Sequence, residues 1–260
     1  MALFISPERR QFLEASHLGN FDEAWAYRAE WFEEPNARRG GWSGVCRLGL
    51  PLPAGGELGV FLKRQENHQR RTWRHPLSGE PSFSCEFRML RYAEAHDIPA
   101  PRPLFFGSEV VDGKPRGILM TEELAGYRPL EAVVRDLFAN GRPPLAEQRR
   151  LLRAVAIVVR KLHEARVQHR SLYPKHLFVR RRDDGDYDVA VIDLEKSRTT
   201  LISAVRTVYD LATLNRHSAH WSCSRRLYFL LQYLGLPRLT PWARLLCRWI
   251  DKRSRRKRGA

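Results

Sequence analysis

Cysteine is scarce in this sequence and widely scattered. The four residues Cys46, Cys85, Cys223 and Cys247 form no C-x-x-C pair, which argues against a disulfide framework or a zinc site and favours a reducing, cytoplasmic compartment. Long apolar runs are missing too. The apolar patch within Met1 to Arg10 stops at Pro7 and Glu8, too short for a signal peptide. No later segment approaches the roughly 18 uninterrupted apolar residues of a membrane span, so a soluble or peripheral protein is expected. There is no G-x-S-x-G elbow, H-E-x-x-H pair or G-x-x-x-x-G-K-S/T loop, which leaves hydrolase, metalloprotease and P-loop chemistry without support. Acid is the last deficit, because 29 Asp and Glu face 45 Lys and Arg, a formal net charge of +16.

A field of that sign concentrates anions, and phosphate-bearing ligands are favoured. Six of the charges lie in the run Lys252 to Arg258, and removing them still leaves +10 in the body of the chain. A solvated tail, an anchor to the anionic inner membrane leaflet or a glycolipid, and a nucleic-acid contact all remain open for that run, with nucleic acid the least favoured. The 260 residues, 43% apolar and 10% aromatic, suffice for one domain with a sizeable core. No internal repeat or low-complexity linker suggests a second.

Along the chain, residues 1–35 read as a helical extension rich in Trp, Phe and Glu, ended by Pro35 and Asn36. Strand-like runs at about 43–50 and 57–64 flank the turn Pro51 to Gly56, with Gly40-Gly41-Trp42-Ser43-Gly44 just before them, the pattern of a glycine-rich hairpin. A helix is expected at about 82–95, strands at 103–110 and 116–122, and a break at Leu124-Ala125-Gly126. Five short strands and one helix would then make a small first lobe over residues 36–123. The second lobe, 124–251, should be mainly helical, with a basic tail over 252–260. Its clearest helix runs from Leu145 to Glu164, where Leu151, Leu152, Val155, Val158, Val159 and Leu162 form one apolar stripe. Two short strands at about 177–181 and 187–192 flank the turn Asp183-Asp184-Gly185.

That helix delivers the chain to His169-Arg170-Ser171, followed five positions on by His176 and then by an apolar strand. The pattern is that of a kinase catalytic loop, H-R-D-x-x-x-x-N, with Ser171 in place of the Asp and His176 in place of the Asn. Val191-Ile192-Asp193-Leu194-Glu195 follows as a metal-binding strand would. On the segments His169 to Val179 and Val191 to Arg198, including Tyr173-Pro174-Lys175-His176 and Ile192-Asp193-Leu194-Glu195-Lys196, the chain resembles the lipopolysaccharide kinase family, Kdo/WaaP type, and within it the InaA-like branch. The resemblance covers roughly residues 36–215. It implies an α+β, protein-kinase-like two-lobed fold with a small β-rich N-lobe and a mainly helical C-lobe, binding ATP with Mg²⁺.

Lys63 ends an apolar strand after the hairpin, where an ammonium could reach nucleotide phosphates. Glu86 on the next helix is the natural carboxylate to hold it, with Glu80 and Glu94 as rivals. The resemblance adds Gly40, Gly41, Ser43, Gly44, Glu122 and Leu124 as ATP-binding positions. Asp193, at the end of the run from Val189 to Ile192, would be costly to bury without a metal or a donor, and Mg²⁺ takes one or two carboxylates plus phosphate. His176 stands at the second metal position, as a softer ligand or as a hydrogen-bond partner of phosphate. His169 is expected to bond backbone near the metal strand, His163 to be a satisfied core histidine, and Asp210 to buttress the loop. Ser171 supplies no carboxylate base, a contribution of typically ~10² to 10⁴ in rate. The proton of an acceptor hydroxyl would pass instead to Asp193, to Glu195 or to the transferring phosphoryl group.

The function so implied is phosphorylation of a sugar hydroxyl, a heptose or Kdo of the lipopolysaccharide inner core or another phosphorylated glycolipid, at the cytoplasmic face of the inner membrane. The alternatives are a pseudokinase serving as a nucleotide-binding scaffold in envelope or stress regulation, motivated by Ser171, and a nucleic-acid-binding module using the basic run.

Overall fold

Alternation of side chains along two long strands organises the first half of the molecule. The computed structural model describes residues 2–38, 40–70 and 80–256. The chain divides into two compact units, residues 1–92 with 101–125, and residues 93–100 with 126–260.

The first unit is a six-stranded sheet in the order β1-β7-β8-β4-β3-β2. Its strands are β1 (Ala2–Ile5), β2 (Trp31–Arg38), β3 (Gly41–Pro51), β4 (Glu57–Glu66), β7 (Pro103–Val111) and β8 (Lys114–Glu122). A short ladder pairs β5 (Gln69–Arg70) with β6 (Glu80–Pro81). Helices α1 (Arg10–Ala15), α2 (Phe21–Ala26) and α3 (Ser82–Ala95) complete it, the last residues of α3 belonging to the second unit. On one sheet face Cys46, Leu48, Val60, Leu62, Ile118 and Met120 are buried with Leu13, Leu18, Phe21 and Ala24 of the N-terminal segment. The period of two turns Lys63 to the opposite face, where α3 lies and Phe87 stacks on Phe106 at 4.4 Å.

Three expectations change here. Residues 1–35 are not a helical extension outside the core, because β1 pairs with β7 and the two short helices cover one sheet face. Pro35 does not end a helix. It lies within β2, an edge strand with two irregularities of register, where a missing N–H is tolerated. The first lobe consequently has six strands in its main sheet rather than five.

Arg64, next to Lys63, points into the N-terminal side of the sheet and is buried there. Its Nη1 donates to the carbonyls of Trp25 and Tyr27 at 2.8 Å each, closing the end of α2, and its guanidinium lies 4.9 Å from the Trp31 ring centroid. Gly44 makes room for that ring, since a Cβ there would come within 2.6 Å of it.

The second unit is mainly helical: α4 (Leu130–Leu137), α5 (Leu145–Glu164), α6 (Ser203–Arg216), α7 (Cys223–Leu234) and α8 (Pro241–Arg256). Strand β9 (Arg128–Pro129) pairs with β11 (Leu177–Arg181), which pairs with β12 (Tyr187–Val191), and β10 (Val167–Gln168) pairs with β13 (Arg198–Thr199). The apolar stripe expected on α5 is buried. The basic run does not begin as a tail, because Lys252 to Arg256 are the last turns of α8, with Ser254 buried. Residues 257–260 lie outside the described residues.

Replacing Arg64 with Leu should lower the unfolding free energy by about 2 to 4 kcal/mol, because the carbonyls of Trp25 and Tyr27 lose a charged donor and the contact over the Trp31 ring is lost. Urea denaturation of the variant measures it.

Candidate functional site

In the first unit Lys63 Nζ meets Glu86 Oε1 at 2.6 Å, the partner expected from sequence. The pair is formed because β4 turns Lys63 towards α3 and Glu86 lies on the first turns of that helix. Glu80 is engaged elsewhere, accepting from Arg88 Nη2 at 2.8 Å, and Glu94 is exposed. Of the glycine-rich segment, Gly40 alone is in a turn, with φ +76°. Gly41, Ser43 and Gly44 lie in β3, paired with β4 through Ser43 with Gln65 and Gly44 with Arg64. A Cβ on Gly41 would collide with the backbone of Asn67, so that glycine has a packing reason of its own. The Glu122 side chain accepts from Arg9 Nε at 3.2 Å while its amide donates to the Arg102 carbonyl at 2.9 Å. Leu124 follows just beyond β8 and is half-buried.

In the second unit the loop after β10 is held by Asp210 of α6, which is 1% exposed. Its Oδ2 accepts from the amide of His169 at 2.7 Å and its Oδ1 from that of Arg170 at 2.9 Å. Arg170 is held at φ +66°, a left-handed turn for which the two amide bonds compensate. His163 Nε2 lies 3.2 Å from Asp210 Oδ2, and its Nδ1 lies 2.8 Å from the Tyr233 hydroxyl, itself 2.9 Å from Thr207 Oγ1. This four-residue network is the part sequence reading missed in extent. His163 and Tyr233 are seventy positions apart, and no local signal joins them.

His169 turns its Nε2 to the carbonyl of Ile192 at 3.0 Å. A carbonyl only accepts, so Nε2 carries the proton. Burial pushes the His169 pKa down, against the opposing pull of the Asp210 and Asp193 charges, and the ring is neutral. The Ile192 amide donates to the His176 carbonyl at 3.0 Å, which ties the loop to the strand end. Asp193 comes next with φ +57° and ψ +56°, a left-handed conformation that Asp tolerates better than most residues.

His176 Nδ1 is 2.8 Å from the Ser171 carbonyl and 3.4 Å from Asp193 Oδ2. The Ser171 carbonyl again fixes the proton on Nδ1, leaving Nε2 as the acceptor of the ring. Ser171, His176 and Asp193 therefore share one corner, with the His169 and His176 rings stacked at 6.0 Å. Ser171 is buried, and Glu195 is half-buried in the short turn Leu194–Lys196. Among the described residues no group of three or more His, Cys, Asp and Glu could hold a metal alone. The Asp193 carboxylate, 34% exposed, suits Mg²⁺ that takes its remaining ligands from phosphate and water. The His176 nitrogen facing Asp193 is protonated, so Nε2 is the nitrogen left for a metal, and it could bond a phosphate oxygen only with a proton of its own.

Asp210→Ala should cost about 3 to 5 kcal/mol in urea denaturation, because two buried amides lose their acceptor. The His169 shift has a sign of its own. Below pH ~6.5 the unfolded chain takes up a proton that the native ring refuses, so stability falls as pH drops through that range. Unfolding of wild type from pH 7 to 5 should show a steeper loss than that of His169→Gln.

The profile of the lipopolysaccharide kinase (Kdo/WaaP) family matches residues 22–233. Protein InaA of Escherichia coli K12 is 29% identical over 222 residues, covering 81% of this chain and 96% of InaA. The lipopolysaccharide core heptose(I) kinase WaaP of Pseudomonas aeruginosa PAO1 is 28% identical over 159 residues, 58% of this chain and 59% of that protein. Among solved structures, WaaP in complex with acyl carrier protein superposes with a TM-score of 0.69 at 22% identity, covering 98% of this chain and 99% of that one. The fold is thus the protein-kinase-like, α+β arrangement, sheet-bearing at its N-terminal side and helical at its C-terminal side. With the family profile spanning most of its length, this chain belongs to the lipopolysaccharide kinase (Kdo/WaaP) family.

Proposed function

We propose that this protein transfers the γ-phosphoryl group of ATP to a sugar hydroxyl, a heptose or Kdo of the lipopolysaccharide inner core, at the cytoplasmic face of the inner membrane. The observation that carries the reading is that a chain of this family has both the Lys63–Glu86 ion pair and the Ser171–His176–Asp193 corner. Lys63, oriented by Glu86, would neutralise nucleotide phosphates, with Gly40, Gly41, Ser43, Gly44, Glu122 and Leu124 as further nucleotide-binding positions. Asp193 would hold Mg²⁺, which supplies positive charge to the phosphate oxygens, and His176 Nε2 would ligate it or accept from a water bound to it. The acceptor oxygen forms its bond to the γ-phosphorus as the bond to the bridging oxygen breaks and ADP leaves. Its proton passes to the Asp193 carboxylate, to Glu195 or to the transferred phosphoryl oxygens. Phosphoryl transfer has a loose transition state, so positioning and charge neutralisation outweigh proton removal, and Ser171 slows the reaction without abolishing it.

Ser171 also favours a second reading, a pseudokinase that binds nucleotide as a scaffold without turnover. An acyl carrier protein is a further candidate partner.

Mg-ATP at ~100 times its Kd should raise the melting temperature by about 5 to 10 °C, and Asp193→Asn or Lys63→Met should remove the rise. Phosphorylation of truncated core acceptors, accelerated ~10² to 10⁴-fold in Ser171→Asp, would establish the enzyme. Nucleotide binding with no transfer to any acceptor would leave the scaffold, and no thermal shift at millimolar Mg-ATP would sink both.

A further inference from the structure

Helix α8 has two faces that ask for different partners. At 100° per residue, Ala243, Leu246, Ile250 and Ser254 share one side and are buried, Ser254 donating to the carbonyls of Ile250 and Ala212. Trp242, Leu245 and Trp249 fall within about 60° of one another on another side and stand 52%, 37% and 39% exposed. The two tryptophan rings pack edge to face with centroids 5.6 Å apart. An exposed stripe of that kind on a single helix is costly in water unless something covers it.

The charges around the stripe identify what does. Arg248, Lys252 and Arg256 border it and are exposed, and the sole acid of the helix, Asp251, is paired with Arg255 at 2.9 Å. Arg253 is set aside from this surface, its guanidinium lying over the Tyr209 ring at 3.2 Å. Tryptophan prefers the headgroup level of a bilayer, while arginine and lysine beside it reach lipid phosphates. A nucleic acid would stack its bases on open ring faces, whereas here the two indoles spend a face and an edge on each other. The stripe is also a ridge on the outside of a helix and not a groove that would receive a partner's helix.

We propose that α8 lies on an anionic phospholipid bilayer, with Trp242, Leu245 and Trp249 in the interface and Arg248, Lys252 and Arg256 on lipid phosphates. This surface would keep the protein on the membrane whether or not the chain transfers phosphate, so it stands apart from the kinase reading. The test is cosedimentation of the full chain with vesicles containing 30% phosphatidylglycerol in phosphatidylethanolamine, against pure phosphatidylcholine. Wild type should bind the anionic vesicles. Each basic side chain near an anionic surface is worth roughly fivefold, so R248Q/K252Q/R256Q should weaken partitioning by ~10²-fold. W242Q/W249Q should weaken it about tenfold, in keeping with the lost apolar area. The thermal shift with Mg-ATP should be unchanged in both variants, which separates this result from that of the kinase proposal. Brominated acyl chains should quench the fluorescence of wild type on those vesicles, a readout that needs no variant. Absence of binding to anionic vesicles, equal binding by wild type and both variants, no quenching, or preference for a duplex oligonucleotide over vesicles would each overturn the proposal.

Discussion

The carboxylate of Asp210 is the contact on which the candidate site hangs. It is buried and accepts from two consecutive backbone amides, at His169 and Arg170, with His163 behind it. A charge in such a place is tolerable only when its lone pairs are filled, and here oriented N–H dipoles fill them. Through those bonds the left-handed turn at Arg170 is held, and from it the rest follows by contact. His169 reaches the carbonyl of Ile192, Ile192 bonds back to His176, and His176 is oriented by the carbonyl of Ser171. Asp193 is thus aimed by a chain of neutral hydrogen bonds that begins at one buried anion.

In the first unit the corresponding constraint is the two-residue period of β4. Lys63 and Arg64 are adjacent cations with opposite fates. Lys63 faces α3 and is held by Glu86, while Arg64 is buried among aromatic rings and closes the end of α2. A shift of one residue in register would exchange them, burying the lysine against Trp31 and removing the ion pair. The N-terminal helices that cover Leu62 and Val60 therefore help set the direction in which Lys63 points.

Under the proposed reading, Ser171 stands where the kinase loop pattern H-R-D-x-x-x-x-N has its Asp. It supplies no carboxylate there, while Asp193, Lys63 and Asp210 are the groups to which the proposed reading gives the metal, the phosphates and the anchoring of the loop. Those are the parts that matter most for a reaction governed by positioning and charge. The surplus of positive charge is a separate property, spread over the whole chain, and the part of it on α8 belongs to a helix whose outward residues have no role in that corner.

Much of this was legible in order along the chain. The stripe on α5 and the strands flanking Asp183 to Gly185 could be read from periodicity, while the ion pair of Lys63 with Glu86 and the bond from His169 to the strand end were expected through the likeness to a kinase loop. Local pattern misjudged residues 1–35, because six- and four-residue elements carry too little periodicity to separate an extension from a core layer, and because an edge strand accepts Pro35 where a central one would not. It also mistook the end of α8 for a tail, since a run of basic residues hides the single buried Ser254.

The sequence by itself determined which residues could do chemistry and which elements carry them, because helix and strand periods and residue spacing are local properties. Only the tertiary structure decided that Asp210 and Tyr233 meet at His163, that the histidine protons sit on His169 Nε2 and His176 Nδ1, and that Trp242, Leu245 and Trp249 remain uncovered. Those depend on contacts between positions far apart in the chain, and pattern within a short window cannot encode a distance across a fold.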